Sequence, residues 1–329
     1  MMCRACLLAH TAFFVLAGIV ACSVAPATHA QGLGTKPIRM VVPYPPGGID
    51  SQARVMMPKM QALLGQPIVL DNRGGANGII GAELVARSAP DGNTLLFVAA
   101  STMIGAAKTM KDVTWDTVKD FATISDLLNI PRPITVHASL PIYSLRELID
   151  YAKRNPGKLS FGSSGIGSSF HFDGEILNAA AGTDIVHVPY KGTGPMVIDM
   201  ASGRVEVGIG AISSIEPLIK SGKVRLLAFM ERARNPSYPT VPTVAEILPG
   251  TYKSPSWIGL MAPAGLPRPV LQRVHAAAVA SLHSPEANDY FAKNYIEAHG
   301  SSPEEFADLI KDDLVRMQKL LDRLGMKPQ

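Results

Sequence analysis

The sequence predicts an α/β protein of two domains, each a mainly parallel sheet flanked by helices. Three observations lead there. Short aliphatic runs alternate with stretches of helical period along most of the chain, the rhythm of strands joined by crossover helices. Three junctions between a strand and the next helix are glycine-rich. At 329 residues, with 47% hydrophobic and 18% charged side chains, the chain can fill two globular cores.

The first strand is Ile38-Arg-Met-Val-Val42, and PYPPGG breaks it. Apolar residues at Ala53, Met56, Met57, Met60, Leu63 and Leu64 keep a helical period that Gly65 ends. Pro58 lies inside this pattern and predicts a kink or a restart, because proline removes a helical hydrogen bond. Ile68-Val-Leu70 is the next strand, the NRGGANG loop follows, and a helix runs from Gly78 to about Ser88. The turn APDG leads into the strand Leu95-Leu-Phe-Val98.

The middle of the chain repeats the scheme. Ser144-Leu-Arg-Glu147 reads as a capping box opening a helix that stops at NPGK. Leu159-Ser-Phe161 is a strand, the loop GSSGIGSS follows, and a helix spans 169–181. Strand Ile185–Val188, helix 194–202 and strands Val205–Ile209 and Val224–Phe229 complete the second α/β unit. The C-terminal part is helical over 267–283, 285–294 and 303–324. The last of these is opened by Ser302-Pro-Glu-Glu305, a capping box with proline at its first helical position.

The first thirty residues differ in kind. Arg4 precedes an apolar run from Leu7 to Ala21, and the small residues of SVAPATHA follow. This is the layout of a secretory signal, and about 15 apolar residues fall short of the roughly 20 needed to span a membrane. Cleavage is expected after Ala30. Ile19-Val20-Ala21-Cys22 also has the form of a lipoprotein cleavage box, with Cys22 as the lipidated end. Both routes export the protein. Cys3, Cys6 and Cys22 are the three cysteines, so the chain beyond Ala30 can build no disulfide, thiolate metal site or cysteine nucleophile. Its 30 basic against 27 acidic residues leave a formal +3, with no basic patch suited to nucleic acid.

The three glycine-rich junctions are PYPPGGID (43–50), NRGGANG (72–78) and GSSGIGSS (162–169). Ligands in α/β sheets bind beyond the carboxyl ends of strands, where free amides and helix N-termini favour negative charge. An anion held between two such units is the expectation. None of the loops has the lysine and hydroxyl of a phosphate-binding P-loop, nor G-x-G-x-x-G with a distant acid. Ser164 lacks the second glycine of a hydrolase elbow, since Ile166 stands there. His171 and Glu175 are four apart, and read as a capping or exposed pair before a metal site. Asp50 reads as the N-cap of the helix after it. Lys191, in a turn beside Gly192, can face an acidic ligand or simply solvent. Trp115 and Trp257 read as packing residues.

Taken in order, VVPYPPGG, DNRGGANG, PDGNTLL, KDF, PGKL, FGSSG with GSS and His171 after it, VHVPYKG, KSGKVRLLA, VPTVAE and SPEEF carry a resemblance. They look like the tripartite tricarboxylate transporter substrate receptors, the Bug-type extracytoplasmic solute receptors, from about Lys36 to the C-terminus. The resemblance implies a two-domain periplasmic binding protein, a type II-like clam joined by crossover strands. Residues 31–130 with 252–329 would form one domain and an inserted 131–251 the other. It implies a periplasmic monomer with no catalytic residue, metal or cofactor, which binds a small organic carboxylate and passes it to the permease subunits of a membrane transporter. In such receptors the carboxylate sits on amides and ordered water of the first-domain loops, and the GSSG loop closes over it. Carried onto this chain, the contacts are Tyr44, Pro46, Gly47, Gly48, Asn77, Gly78 and Ser101 from the first domain. Ser163, Gly165, Ser168, Ser169, His171 and Lys191 come from the second.

The departures shape the expected ligand. The family's usual GG-x-T-D appears here as Gly48-Ile-Asp50, one residue shorter and without the threonine; Gly74 replaces a usual proline and Asn77 a usual glycine. Members that take amino acids tend to carry an acid at the end of the strand that here reads Val207-Gly-Ile-Gly210. An ammonium without that partner loses a charge-assisted hydrogen bond worth about 1.5–3 kcal/mol. A dicarboxylate or aromatic carboxylate is therefore expected over an amino acid, with Ile49 and Ile212 lining its far end. The alternatives are a sensing receptor that signals to a partner protein, and a secreted serine hydrolase.

Overall fold

The computed structural model describes residues 34, 36–231, 233–251 and 254–325. The expected secretory signal, its cleavage site and the alternative lipid site at Cys22 lie outside the described residues.

The chain opens as β1 (Ile38–Val42), α1 (Ile49–Leu64), β2 (Ile68–Asn72), α2 (Ile79–Ala86) and β3 (Thr94–Ala99). A π-helical turn, Ser101–Ala106, follows and runs into the short α3 (Ala107–Thr109). β4 (Phe121–Asn129) leads to a second run: β5 (Pro133–His137), α4 (Leu145–Arg154), β6 (Ser160–Ser163), α5 (Ser169–Ala181), β7 (Val186–Pro189), α6 (Thr193–Ala201), β8 (Val207–Ile209), α7 (Ile212–Lys220), β9 (Val224–Phe229) and α8 (Val244–Ile247). The chain then returns through β10 (Trp257–Pro263), α9 (Arg268–Leu282), α10 (Pro285–Lys293), β11 (Glu297–Ala298) and α11 (Pro303–Leu324).

Two sheets result, one ordered β11-β4-β10-β3-β1-β2 and the other β7-β6-β8-β5-β9, and each is the centre of a lobe. Both are mixed rather than mainly parallel. β1 pairs parallel with β2 and β3, and β6 with β7 and β8. The strands that arrive from the other lobe run the other way: β10 is antiparallel to β3 and β4, and β5 to β8 and β9. A strand that arrives from the other lobe enters its sheet from the opposite end.

β10 holds the first lobe together. All seven of its residues are buried, since it lies between β3 and β4 with helices over both faces. α1 buries Ala53, Met56, Met60 and Leu64 in the core that α9 also covers. Pro58 neither ends nor restarts α1, which is continuous from Ile49 to Leu64; the proline stands on its exposed side, where the orphaned carbonyl can reach water. Ser144 caps α4 through the Glu147 amide, but the Glu147 carboxylate turns to the Tyr143 amide instead of closing the box. At Ser302 the box is complete. Trp115 and Trp257 do pack in the interior, edge-on to Phe121 and Phe306.

Between the lobes the chain crosses after Asn129 and again between Phe229 and Trp257. Arg132 stands at this crossing, 1% exposed. Its Nη1 lies 2.7 Å from Asp173 Oδ2 on α5 and donates to Ser254 Oγ at 2.6 Å, while Nη2 donates to the Ser254 carbonyl at 2.8 Å. The Arg132 amide donates to Glu231 Oε2 at 3.0 Å. Ser254 Oγ in turn donates to the Ser169 carbonyl, and Ser169 Oγ to the Pro255 carbonyl. One guanidinium thus ties both crossing segments to the start of α5.

Candidate functional site

The first loop ends β1 and opens α1. Gly47 and Gly48 have φ of 100° and 55°, a region that costs a side-chain-bearing residue strain. Gly48 is the N-cap; the Asp50 and Ser51 amides turn back to the Gly47 and Gly48 carbonyls, the Gly47 amide serves the Asp50 carboxylate, and the Gly48 and Ile49 amides donate to no backbone carbonyl among the described residues. Those amides and the positive end of the α1 dipole suit an anion. Asp50 is not the cap. It lies in the first turn, buried, and its Oδ2 accepts from Arg54 Nε at 2.8 Å. Burial raises its pKa, and hydrogen bonds from Arg54 and Asn72 more than offset this, holding it below the usual aspartate value.

The second loop is a left-handed turn. Gly75, Ala76, Asn77 and Gly78 all have positive φ, at 124°, 45°, 54° and 88°. Two of the four carry side chains, and such conformations persist only where the surroundings enforce them. The Asn77 carbonyl accepts the Thr102 hydroxyl at 2.8 Å, and the Gly78 amide donates to the Gly75 carbonyl at 2.8 Å. Thr102 comes from the π-helical turn after β3, which also carries Ser101. Its Oγ1 pairs with the Tyr44 hydroxyl at 2.7 Å.

The third loop belongs to the other lobe. Ser168 caps α5, accepting the His171 amide at 3.2 Å, and Gly165 and Gly167 have φ of 129° and 78°. The loop meets the first lobe: a Cβ added to Gly105 would lie 3.3 Å from the Gly167 carbonyl, and one on Gly167 would lie 3.9 Å from Asn77 Nδ2. Loops two and three therefore face each other across the space between the lobes.

The fifteen residues expected at the site divide by exposure. Pro46, Gly47, Gly48, Asn77 and Lys191 are exposed; Tyr44, Ile49, Ser101, Gly165, Ser168 and Ser169 are half-buried. Gly78, Ser163, His171 and Ile212 are buried. Ser163, with no exposed surface, spends its hydroxyl on the Gly165 amide and on His187 Nε2 at 2.8 Å. Ser164 and Ser169, the serines of the hydrolase alternative, are half-buried, and the Ser169 hydroxyl donates to the Pro255 carbonyl. The His171 ring stacks on His187 with centroids 4.0 Å apart, and its Nδ1 accepts the Gly167 amide at 3.2 Å. His171 thus shapes the third loop from behind. Sequence reasoning passed over Thr102 and His187, since neither lies in a glycine-rich motif.

Burial pushes both histidines down to about 4, with the charge of His171 adding to the effect at His187. In the unfolded chain each protonates near 6.5, so between these values the unfolded state binds more protons and stability rises with pH. Glu175, 3.8 Å from His171, is raised by burial and by Asp184, which opposes this trend. The two larger histidine shifts prevail. Melting temperature should therefore fall as pH drops from about 6.5 towards 4.5, before the depressed carboxylates begin to protonate. A flat profile over that window would show that the pair titrates normally.

The pattern described as "Tripartite tricarboxylate transporter family receptor" matches residues 52–326. The chain is 37% identical over 313 residues to the "UPF0065 protein in tcbD-tcbE intergenic region" of Pseudomonas sp. (strain P51), covering 93% of each chain. An R. palustris protein solved with adipate is 31% identical, with a TM-score of 0.77 over 90% of this chain and 99% of that one. MatC of Rhodopseudomonas palustris, solved with bound malate, is 28% identical, with a TM-score of 0.73 over 87% and 99%. Among the described residues no helix is long and apolar enough to cross a membrane. The chain belongs to the tripartite tricarboxylate transporter receptor family, whose members are periplasmic solute-binding proteins.

Proposed function

We propose that this protein is an exported receptor that binds a small organic carboxylate between its lobes and delivers it to a tripartite tricarboxylate-type membrane transporter. The carrying observation is the convergence of three glycine-rich loops from both lobes, with the Gly48 and Ile49 amides left without backbone acceptors among the described residues, while the Gly47 amide serves the Asp50 carboxylate. One carboxylate would sit on the first two loops. Ser168 and Lys191 would approach from the second lobe as residues 131–251 rotate towards the rest, with Ser169, whose hydroxyl serves the Pro255 carbonyl, at the edge of the site. Ser163 and His171 would support that loop from inside.

A dicarboxylate or aromatic carboxylate is the favoured class. A Cβ on Gly210 would lie 2.8 Å from Thr193 Cγ2 and 3.1 Å from Met196 Cε, so this strand end has no room for an acid to meet an ammonium. The adipate and malate in the two relatives belong to the same class. Calorimetric titration of the protein lacking its first thirty residues, against adipate, malate, benzoate and glutamate, tests the reading. Saturable binding of adipate, malate or benzoate, with glutamate weaker by about tenfold or more, is expected. Preference for glutamate would overturn the ligand class, and no binding by any of the four would count against the receptor itself.

A further inference from the structure

We infer that Tyr44 and Thr102 are positioning residues that hold the Gly75–Gly78 turn in its left-handed shape before ligand arrives. The inference deepens the carboxylate reading, and rests on it only for its affinity arm. Proton accounting fixes the direction of the chain. The Ala99 amide donates to Tyr44 Oη at 3.1 Å, and the Thr102 hydroxyl proton goes to the Asn77 carbonyl at 2.8 Å. The bond of 2.7 Å between Tyr44 Oη and Thr102 Oγ1 must then use the tyrosine proton. The sequence runs from the amide at the end of β3, through two hydroxyls, to the carbonyl inside the strained turn.

The fit is close as well as polar. Thr102 has no exposed surface, and a Cβ on Gly78 would come within 2.5 Å of its Oγ1. The loop backbone is thus seated directly on this hydroxyl. Tyr44 is anchored at its other end, where its carbonyl accepts Asn72 Nδ2 at 3.0 Å. Its hydroxyl already serves the Ala99 amide and Thr102, so the ring acts through the turn rather than through contact with ligand. Within the turn only two local bonds cross Ala76 and Asn77, from the Gly78 amide to the Gly75 carbonyl and from the Ile79 amide to the Ala76 carbonyl. The clamp supplies the enforcement that such a conformation requires.

A clamp that preorganises the turn raises the fraction of molecules competent to bind. Its loss lowers that fraction and therefore slows association, whereas loss of a ligand contact speeds dissociation. The variants are Tyr44→Phe, Thr102→Val and Thr102→Ser, each in the chain lacking its first thirty residues. In the free protein, exchange of the Gly78 amide proton should accelerate about tenfold or more in Tyr44→Phe and Thr102→Val, and return towards wild type in Thr102→Ser. With adipate as probe, association should slow by about tenfold while dissociation stays within about twofold. Unchanged Gly78 exchange overturns the inference, as does faster dissociation with unaltered association, which would make Tyr44 a contact. Wild-type protein that ignores adipate counts against the dicarboxylate reading, and the exchange arm then decides the clamp alone.

Discussion

Arg132→Ala should destabilise the protein by about 3–5 kcal/mol, because it takes the guanidinium away from two buried carboxylates. Asp173 has no exposed surface, and Glu231 is 4% exposed. Neither carboxylate can turn to water without opening the crossing between the lobes. The Ser254 hydroxyl and carbonyl would lose their guanidinium donors at the same time. Arg132→Lys should recover part of the loss, since it restores charge but not the fork that reaches Asp173 and Ser254 together. Urea unfolding monitored by circular dichroism measures this as a shift in midpoint at constant slope. A loss below about 1 kcal/mol would mean that water enters the crossing and takes the place of the guanidinium.

Gly48→Val should remove carboxylate binding by about a hundredfold or more while the protein still folds. A Cβ at Gly48 meets nothing within 4 Å, so the first added carbon overlaps no part of the protein. It projects from the backbone whose amides open α1, and a β-branched residue at φ 55° carries strain of about 1–3 kcal/mol. Gly48→Ala should fall between, with similar strain and less obstruction. Titration calorimetry with adipate reads the affinity, and the melting temperature checks folding. Unchanged affinity in Gly48→Val would remove the first loop from the site.

The periodic and punctuated parts of the fold were legible in the sequence. Helices 169–181 and 303–324 stand where period and caps place them, because Gly182 and Gly325 end each helix in the left-handed region. Of the strands at the crossings, Val224–Phe229 was legible, whereas β4, β5 and β10 were not. Trp257–Pro263 is buried along its whole length, so it shows no alternation, and the apolar stretch of β4 has the same defect. The three loops were visible as glycine-rich junctions. Their division of labour was not, because Ser163 and Ser168 are neighbours in a serine-rich motif that only burial and hydrogen bonding separate. Asp50 misled for a related reason. It has the residue type of a cap, but Gly48 starts the helix two positions earlier.

The path of β10 also sets an order of assembly. All five strands of the second sheet lie between Pro133 and Phe229, so that lobe has its full complement before residue 257 is made. The first sheet has β1, β2 and β3 early, yet β3 keeps an open edge until β10 arrives to fill the place between it and β4. A chain emerging N-terminus first therefore completes its inserted lobe ahead of the one that begins it. During that interval Leu95, Leu96, Phe97 and Val98 form an unpaired apolar edge, the kind of surface on which holding chaperones act and truncated chains aggregate.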